Sequence, residues 1–513
     1  MRIRRIAPPI LIVGIAAAIV PGLVSAQAAA ADPLRPYETQ KPSWHRCDPK
    51  MPASYQCATI KVPLDYDRPD GKKIKLAISR IKTSEPGKRH GVMLFNPGGP
   101  GGEGLSMPVM MKDTLPEKVR EQYDLVGFDP RGVGRSSPVT CDLSAAEQNT
   151  ERPYKPETFS NDVKWARTVA KKCREENGDK LPHITTRNTA RDMDVIRGVL
   201  GEKKISYLGY SYGTYLGAVY TQMFPGRSDR FVLDSSVDPA RIWRGMIQVW
   251  ASGSEPAFTR WTKWTAEHHS TYKLGDTPAK VRKTFWALVA RADEKPIPYE
   301  GGKVNGDDIR SGLRMQFFSP KEAATTVKDL KKAADGGPDA KGLAAPEEQT
   351  DNMTAAFWSV VCGDTAAWPH DPEQYRRDAV RDKAKYPIYG DFASNITPCA
   401  FWDKPAEPAT DVNNNVGTLT VQNQWDSQTP LSSGRGMHRA LKGSRMVYVA
   451  GGEGHGVYDE DPKACANRAV NSYLSTGRLP GEDVTCKAAK DQNRDASEHP
   501  PVPRRVPGVP DRF

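Results

Sequence analysis

A serine flanked by two glycines is the first feature of this sequence that points to chemistry. The stretch LGYSYGTYLG (208–217) places Ser211 between Gly209 and Gly213, after a strand-like run and before helix-forming residues. This is the context of a Gly-x-Ser-x-Gly nucleophile elbow, in which a strained turn exposes the serine hydroxyl above a sheet. Taken alone, the pattern also fits a glycine-rich loop.

A serine hydroxyl is a weak nucleophile near neutral pH, so it needs a general base, and the base needs an orienting acid. In enzymes with this elbow the chain order is serine, acid, histidine. His455 follows a strand-like run and lies in GGEGHGVY, a glycine-rich loop that lets an imidazole reach over the sheet edge. The other histidines precede Ser211 or lie in helical or tail regions, so His455 is the predicted base.

The acid is expected directly after the core strand that precedes the histidine. In LTVQNQWDSQTPL, Asp426 ends a strand and precedes a Thr-Pro turn. An aspartate at such a place can also simply cap the turn. The nearest competitors, Asp403 and Asp411, follow no core-like strand, so Asp426 is the predicted acid.

A tetrahedral intermediate carries a negative oxygen that needs preplaced donors. One predicted donor is the backbone N–H of Tyr212, the residue after the serine. The other is expected from LFNPGGPGGEGL (94–105), whose glycines permit close backbone approach. We expect Gly99, with Gly98 as the alternative. The stretch lacks the Lys-Ser/Thr ending of a phosphate-binding loop.

Strand and helix patterns alternate around these residues. Strand patterns occur at 73–82, 91–95, 123–128, 205–210, 230–236, 417–424 and 444–452. A helical pattern with a capping-box-like start covers 189–201. The alternation predicts an α/β protein with a mostly parallel sheet that helices cover on both faces.

The chain divides into five predicted parts. They are a signal peptide or pro-region (1–32), a first core part (33–240), a helical cap (241–405), a second core part (406–486) and a flexible Pro-rich tail (487–513). The cap is distinguished by helical patterns and by eight of the eleven tryptophans.

The first residues have the form of a secretory signal peptide, with arginines before an apolar run that ends in small residues. We expect cleavage after Ala26 or slightly later, before Asp32. An uncleaved membrane anchor is disfavoured, because Pro21 interrupts a run that is short for a membrane span. The sequence therefore predicts a secreted, extracellular protein without stable membrane insertion.

The eight cysteines are even in number, and export would place them in an oxidising compartment. We expect sequence neighbours to pair, although some cysteines could remain free buried thiols. The expected pairs are Cys47–Cys57, Cys141–Cys173, Cys362–Cys399 and Cys465–Cys486. No close Cys-x-x-Cys motif is present, so no metal is expected, and nothing calls for an organic cofactor.

The net charge of +11 is scattered along the chain, and no basic run stands out before the tail. A composition of 38% hydrophobic and 26% charged residues is typical of a soluble globular protein. We therefore expect a mildly cationic surface and no nucleic-acid partner. A monomer is expected, although no feature of the sequence determines the oligomeric state.

Five motifs together resemble one family. NPGGPGG, GFDPRGVGRSS, LGYSYGTYLGAVY, WDSQTP and GHGV occur in the order found in the secreted tripeptidyl aminopeptidases of high-GC Gram-positive bacteria. These are serine peptidases of the α/β-hydrolase fold, related to prolyl aminopeptidases, and the resemblance spans about residues 40–486. It implies Ser211, Asp426 and His455 as nucleophile, acid and base, and Pro97–Gly102 as the oxyanion loop.

The resemblance also implies release of short peptides, mainly tripeptides, from the free N-termini of peptides or unfolded proteins. Such an enzyme must bind an ammonium group, which carboxylates can do. Glu103, where the family commonly has serine, is one candidate, with a solvated loop glutamate as the alternative. Asp364 is the other, although Val361 replaces the acid that the family tends to carry nearby. The aromatic cap could favour proline or apolar residues near the scissile bond, as in a prolyl-type variant that removes tri- or tetrapeptides.

Two other functions compete with the exopeptidase. A secreted carboxylesterase would use the same triad through an acyl-enzyme, and an amine-binding carboxylate cluster would distinguish the peptidase from it. A non-catalytic binding module on a hydrolase scaffold is disfavoured by the intact Ser211, Asp426 and His455, although the fold alone would allow it.

Overall fold

Strands and helices alternate along most of the chain. The computed structural model describes residues 32–343, 350–459 and 461–488. The predicted leader, apart from its last residue, and the tail beyond residue 488 lie outside the described residues. Within the described ranges the strands are β1 (His45–Arg46), β2 (Tyr55–Pro63), β3 (Lys73–Ile81), β4 (Gly91–Asn96), β5 (Tyr123–Phe128), β6 (Ile205–Tyr210), β7 (Ser228–Asp234), β8 (Ile297–Tyr299), β9 (Gly302–Val304), β10 (Thr418–Trp425), β11 (Arg445–Glu453) and β12 (Val484–Lys487).

The helices cover both faces of the sheet and fill the segment between β7 and β10. They are α1 (Arg35–Glu38), α2 (Met107–Thr114), α3 (Glu117–Arg120), α4 (Ala145–Gln148), α5 (Phe159–Asn177), α6 (Thr186–Val199), α7 (Tyr212–Met223), α8 (Arg244–Glu267), α9 (His269–Tyr272), α10 (Pro278–Glu294), α11 (Gly306–Arg314), α12 (Pro320–Ala334), α13 (Asp351–Gly363), α14 (Pro372–Lys385), α15 (Gly390–Ala393), α16 (Leu431–Ala440) and α17 (Cys465–Thr476). In the part of the chain that the structure describes, no helix has the length and apolarity to cross a membrane.

One ten-stranded sheet has the order β1-β2-β3-β5-β4-β6-β7-β10-β11-β12. The strands from β5 to β12 in this order run parallel, whereas β1, β2 and β3 form an antiparallel edge. β4 and β6 are neighbours, with Asn96 opposite Gly209 at their carboxyl ends. The glycine-rich loop after β4 and the serine turn after β6 therefore leave the sheet side by side.

Both faces of the parallel strands are buried. In β4, Val92 and Leu94 join the cluster that contains the apolar faces of α5, α6 and α7. Met93 and Phe95 point to the opposite face and pack with α2, α3 and α17. Because side chains alternate along a strand, a run of six buried residues such as β4 requires cover on both sides. The predicted α/β fold with a mostly parallel sheet is confirmed.

The chain leaves the sheet after β7 and returns at β10. Helices α13 and α14 pack with the hydrophobic cluster of the sheet, but α8 to α12 and α15 share a separate cluster, which includes Phe258, Trp261, Phe285 and Phe317. Their ring centroids lie 4.8 to 6.0 Å apart. We call this segment, residues 243–401, from the residue before α8 to the turn after α15, the cap. It also contains the short antiparallel hairpin β8–β9, which the sequence did not predict.

The eight cysteines form four disulfides, in the pairing expected from their order. The pairs are Cys47–Cys57, Cys141–Cys173, Cys362–Cys399 and Cys465–Cys486. No cysteine of the chain is free, and all eight lie in the described residues. The third pair ties the end of α13 to the segment that leads back to the sheet.

Candidate active site

Ser211 lies on a strained turn between β6 and α7. Its backbone has φ 54° and ψ −121°, a region that residues other than glycine rarely adopt. A Cβ on Gly209 would lie 2.6 Å from the carbonyl oxygen of Gly213, and one on Gly213 would lie 2.8 Å from that of Asn96. Glycine is therefore required on both sides of the serine, which is the steric pattern of a nucleophile elbow.

His455 and Asp426 meet at the carboxyl ends of β10 and β11. The Nδ1 atom of His455 lies 2.8 Å from Oδ2 of Asp426, which leaves Nε2 free to accept a proton. The buried Asp426 also accepts from the backbone N–H groups of Gln428 (2.7 Å) and Thr429 (2.9 Å). The Thr429 hydroxyl donates to Oδ2 at 2.7 Å. Four donors therefore fix the carboxylate.

The electrostatic surroundings of His455 favour its protonated form. Burial disfavours the charged imidazolium, but the Asp426 carboxylate and its hydrogen bond outweigh this effect, so the pKa of His455 lies above its ordinary value of 6.5. The buried charge of Asp234 acts in the same direction. The imidazole side chain is 18% exposed and still reaches the cavity described below.

A second buried carboxylate fixes the loop that carries His455. Asp234, the last residue of β7, accepts from two successive backbone N–H groups of that loop, the nearer being Tyr458 at 2.7 Å. The Ser235 hydroxyl donates to Asp234 at 3.0 Å and accepts from the N–H of Gly456 at 2.8 Å. Burial raises the pKa of Asp234 to about 6, although the hydrogen bonds to its carboxylate oppose this shift.

Asn423 of β10 holds the same loop from the other side. Its side-chain amide lies 3.0 to 3.1 Å from the carbonyl oxygens of Glu453, Gly454 and Gly456. Neither Asn423 nor Asp234 was predicted from the sequence. For Asp234 the available signal was an acid at the end of the apolar run in RFVLDSS, whereas GTLTVQNQ contains several polar residues and does not single out Asn423.

The glycine loop after β4 touches the serine turn. A Cβ on Gly98 would lie 3.0 Å from the Cβ of Ser211 and 3.4 Å from the backbone nitrogen of Tyr212. The N–H of Gly98 donates to Oδ1 of Asn96 at 3.0 Å, which favours Gly99 as the oxyanion donor. Gly99 has φ 106°, a conformation that favours glycine. Tyr212 begins α7, so its N–H has no acceptor within the helix.

The serine, the histidine and the glycine loop line one cavity of about 800 Å³. Its floor is formed by the loops after β4, β6, β7, β10 and β11, at the carboxyl edge where ligands bind in open α/β sheets. The cap contributes a largely apolar roof, which includes Trp243, Met246, Trp250, Phe357, Trp358 and Phe392.

Glu103 and Asp364, the predicted amine-binding carboxylates, are not part of this cavity wall. Glu103 is exposed to solvent. Asp364 is buried, and it accepts from the N–H (2.7 Å) and hydroxyl (2.6 Å) of Thr186 and from the indole N–H of Trp243 (3.0 Å). The structure therefore does not bring either predicted carboxylate into the cavity lining: Glu103 is exposed outside it, and Asp364 is engaged by Thr186 and Trp243.

Comparisons with known proteins cover nearly the whole chain. A model of the α/β hydrolase fold matches residues 91–286, and a model described as TAP-like protein matches residues 386–486. The sequence is 37% identical over 469 residues to a tripeptidyl aminopeptidase of Streptomyces lividans, which covers 86% of each chain. The chain belongs to the tripeptidyl aminopeptidase family.

Two further relatives match this chain over comparable lengths. The serine protease Hip1 of Mycobacterium tuberculosis is 30% identical over 470 residues, 85% of this chain and 88% of the relative. Carboxylesterase B of the same organism is 30% identical over 485 residues, 88% of this chain and 91% of the relative. The protein is accordingly a serine hydrolase of the aminopeptidase type, with the α/β-hydrolase fold.

Proposed function

We propose that this protein is a secreted exopeptidase that removes tripeptides from free N-termini through an acyl-enzyme. One observation carries the proposal: Ser211, His455 and the glycine loop line the same capped cavity, and Asp426 holds the imidazole at 2.8 Å. A relative named tripeptidyl aminopeptidase supports peptides as the substrate class.

In the proposed acylation step, Nε2 of His455 takes the proton of Ser211 as the serine oxygen attacks the carbonyl carbon of the third residue. The N–H groups of Gly99 and Tyr212 stabilise the negative oxygen that forms. When the tetrahedral intermediate collapses, the peptide bond breaks and His455 gives its proton to the departing amine. Asp426 keeps the imidazole oriented and stabilises its charged form.

In the proposed deacylation step, a water molecule replaces the departed amine. His455 removes a proton from this water as its oxygen attacks the ester carbon on Ser211, and the same N–H groups stabilise the second tetrahedral intermediate. The ester bond then breaks, the serine oxygen regains its proton from His455, and the tripeptide leaves as a carboxylic acid.

We also propose that the cap selects the substrate and that the enzyme acts outside the cell. A roof over the cavity would exclude folded proteins and admit peptide ends. Four disulfides are typical of exported proteins, which agrees with the secretory pattern at the N-terminus. Cleavage of the leader stays a prediction.

The direct test is an assay on a tripeptide coupled to a chromogenic amine, with the N-terminus either free or acetylated. We expect cleavage of the free peptide, with the intact tripeptide as the product in mass spectrometry. Equal rates on the two peptides, or release of single residues, would refute the exopeptidase.

A carboxylesterase is the second candidate. It is favoured by the relative named carboxylesterase B and by the largely apolar cavity roof. Both candidates use the same acyl-enzyme chemistry, so only the substrate separates them. Hydrolysis of simple esters without turnover of any peptide would support the esterase.

A further inference from the structure

The cavity wall contains a carboxylate that the proposed catalytic machinery does not use. Three acidic residues line the cavity: Asp113, Glu151 and Asp459. Asp113 is exposed to solvent, and Asp459 accepts hydrogen bonds from the side chain of Asn467 and from the backbone. Glu151 is half-buried and was not identified from the sequence.

Glu151 has one strong partner, which is neutral. The hydroxyl of Tyr389 in the cap donates to its Oε2 atom at 2.6 Å. Burial, and then the charge of Glu151, raise the pKa of Tyr389 well above its ordinary value, so the phenol keeps its proton and acts as the donor. Among the described residues, no lysine, arginine or histidine forms an ion pair with Glu151. Its second oxygen, Oε1, remains available to a ligand.

The main chain at Glu151 is held in place. The side-chain amide of Asn395 donates to the carbonyl oxygen of Arg152 at 3.0 Å, which joins this loop to the cap. The Arg152 guanidinium is directed to Asp162, at 2.7 to 3.0 Å, rather than to the neighbouring glutamate. The carboxylate is therefore positioned before a substrate arrives.

The aromatic rings beside this carboxylate already carry arginines on their faces, Arg314 on Tyr389 and Arg310 on Phe392. The rings of Tyr389 and Phe392 stack, with centroids 4.9 Å apart and planes 5° from parallel, and both line the cavity. Arg314, a cation in the same wall, lies 4.1 Å above the Tyr389 ring and donates to the side chain of Gln428 at 3.0 Å. Gln428 is a neutral acceptor, so Arg314 keeps its full charge, and among the described residues it forms no ion pair with Glu151.

We propose that Glu151 binds the ammonium group of the substrate N-terminus and that Tyr389 holds the carboxylate in position for it. The inference rests on the proposed exopeptidase function and names the residue that recognises the free amine. Charge-assisted hydrogen bonds are about twice as strong as neutral ones, and an apolar cavity weakens their screening. An acetylated N-terminus lacks the charge and would leave the partly buried carboxylate without a charged partner.

The test compares a tripeptide coupled to a chromogenic amine with its desamino analogue, in which hydrogen replaces the N-terminal amine. We expect the wild-type enzyme to prefer the amine substrate by about 10- to 100-fold in kcat/KM, the range for a hydrogen bond to a charged group. Glu151→Gln keeps the side-chain shape and should lose most of this preference, mainly through a higher KM for the amine substrate. Asp113→Asn, which removes a charge from the same wall, should keep it.

The outcomes separate this inference from the proposed function. If the wild type does not prefer the amine substrate, both the exopeptidase and the role of Glu151 are wrong. If the wild type and Glu151→Gln show the same preference, the exopeptidase stands and the inference is wrong. Equal losses in Glu151→Gln and Asp113→Asn would overturn it too, because the cavity's overall potential would then be the cause.

A second variant keeps the inference testable if Glu151→Gln folds poorly. Tyr389→Phe retains the charge of Glu151 but removes the hydrogen bond that holds it. We expect KM for the amine substrate to rise several-fold and KM for the desamino analogue to stay the same. Equal changes for both substrates, or none for either, would overturn the proposal.

Discussion

The carboxylate of Asp234 accepts a hydrogen bond from the backbone N–H of Tyr458 at 2.7 Å, and this contact ties the end of β7 to the loop that carries His455. Because the pKa of Asp234 is about 6, the contact weakens as the pH falls through that value. The pKa of His455 is raised above 6.5, so the imidazole also becomes protonated on acidification and stops acting as a base. Two protonations should therefore contribute to the loss of activity at acidic pH.

The first prediction concerns the acid limb of the pH profile. On the acid side, we expect log kcat/KM of the wild type to change with pH with a slope greater than one. In Asp234→Asn the slope should be one, because only His455 is then protonated. At alkaline pH this variant should retain about one tenth of the wild-type kcat/KM, because an amide can accept fewer of the loop's N–H donors. Identical limbs in wild type and variant, measured from about pH 5 to 9, would contradict the role of Asp234.

The second prediction concerns Thr429, whose hydroxyl donates to the oxygen of Asp426 that also contacts His455. Thr429→Val removes this donor, so the carboxylate charge acts more strongly on the imidazole. We expect kcat to fall about tenfold and the midpoint of the acid limb to move to higher pH. Thr429→Ser keeps the hydroxyl and is the matched control. If valine and serine give the same profile, the hydroxyl does not tune the histidine.

The third prediction concerns the contact between the glycine loop and the serine turn. In Gly98→Ala the new Cβ would lie 2.7 Å from the carbonyl oxygen of Tyr210 and 3.0 Å from the Cβ of Ser211, at a φ of 107°. The loop must move, which displaces the proposed donor at Gly99. We expect kcat/KM to fall by about 100-fold or more. Gly87→Ala, where a Cβ meets nothing within 4 Å, should be fully active, and an active Gly98→Ala enzyme would exclude this loop from catalysis.

The fourth prediction concerns the Cys362–Cys399 disulfide in the cap. It closes a loop of 37 residues, so replacing both cysteines by serine should lower the free energy of unfolding by about 4 kcal/mol. Because α13 also carries Phe357 and Trp358 of the cavity roof, KM should rise with the loss of the bridge. Replacing Cys47 and Cys57 should lower Tm without changing KM. A cap variant with normal KM would show that this bridge does not position the roof.

Much of the proposed site follows from local sequence. The strands before Ser211, Asp426 and His455 were predicted within one or two residues, because buried strands are short apolar runs that end in glycine or polar turns. Since parallel strands end at the same edge of a sheet, the residues that follow them meet there. These parts of the site depend only on strand position and direction.

Other parts depend on which strands are neighbours and on which way a loop side chain points. Asp234 and Asn423 act on a loop that is distant in sequence, and their role appears only when β7, β10 and β11 lie side by side. Glu103 and Asp364 were expected at the substrate, but one is exposed and the other is buried beneath Trp243. Packing against other segments decides such orientations, and local pattern does not encode them.

Every step of the proposed reaction depends on Ser211 as the nucleophile. The most direct measurement is mass mapping of the protein after inactivation by a fluorophosphonate, together with activity assays of Ser211→Ala. We predict one adduct per chain, on Ser211, forming at the rate at which peptide hydrolysis is lost, and a Ser211→Ala protein that is folded, unlabelled and inactive. The assignment of Ser211 as the nucleophile would be contradicted by an adduct on another residue that accounts for the inactivation. It would also be contradicted if Ser211→Ala still hydrolysed peptides.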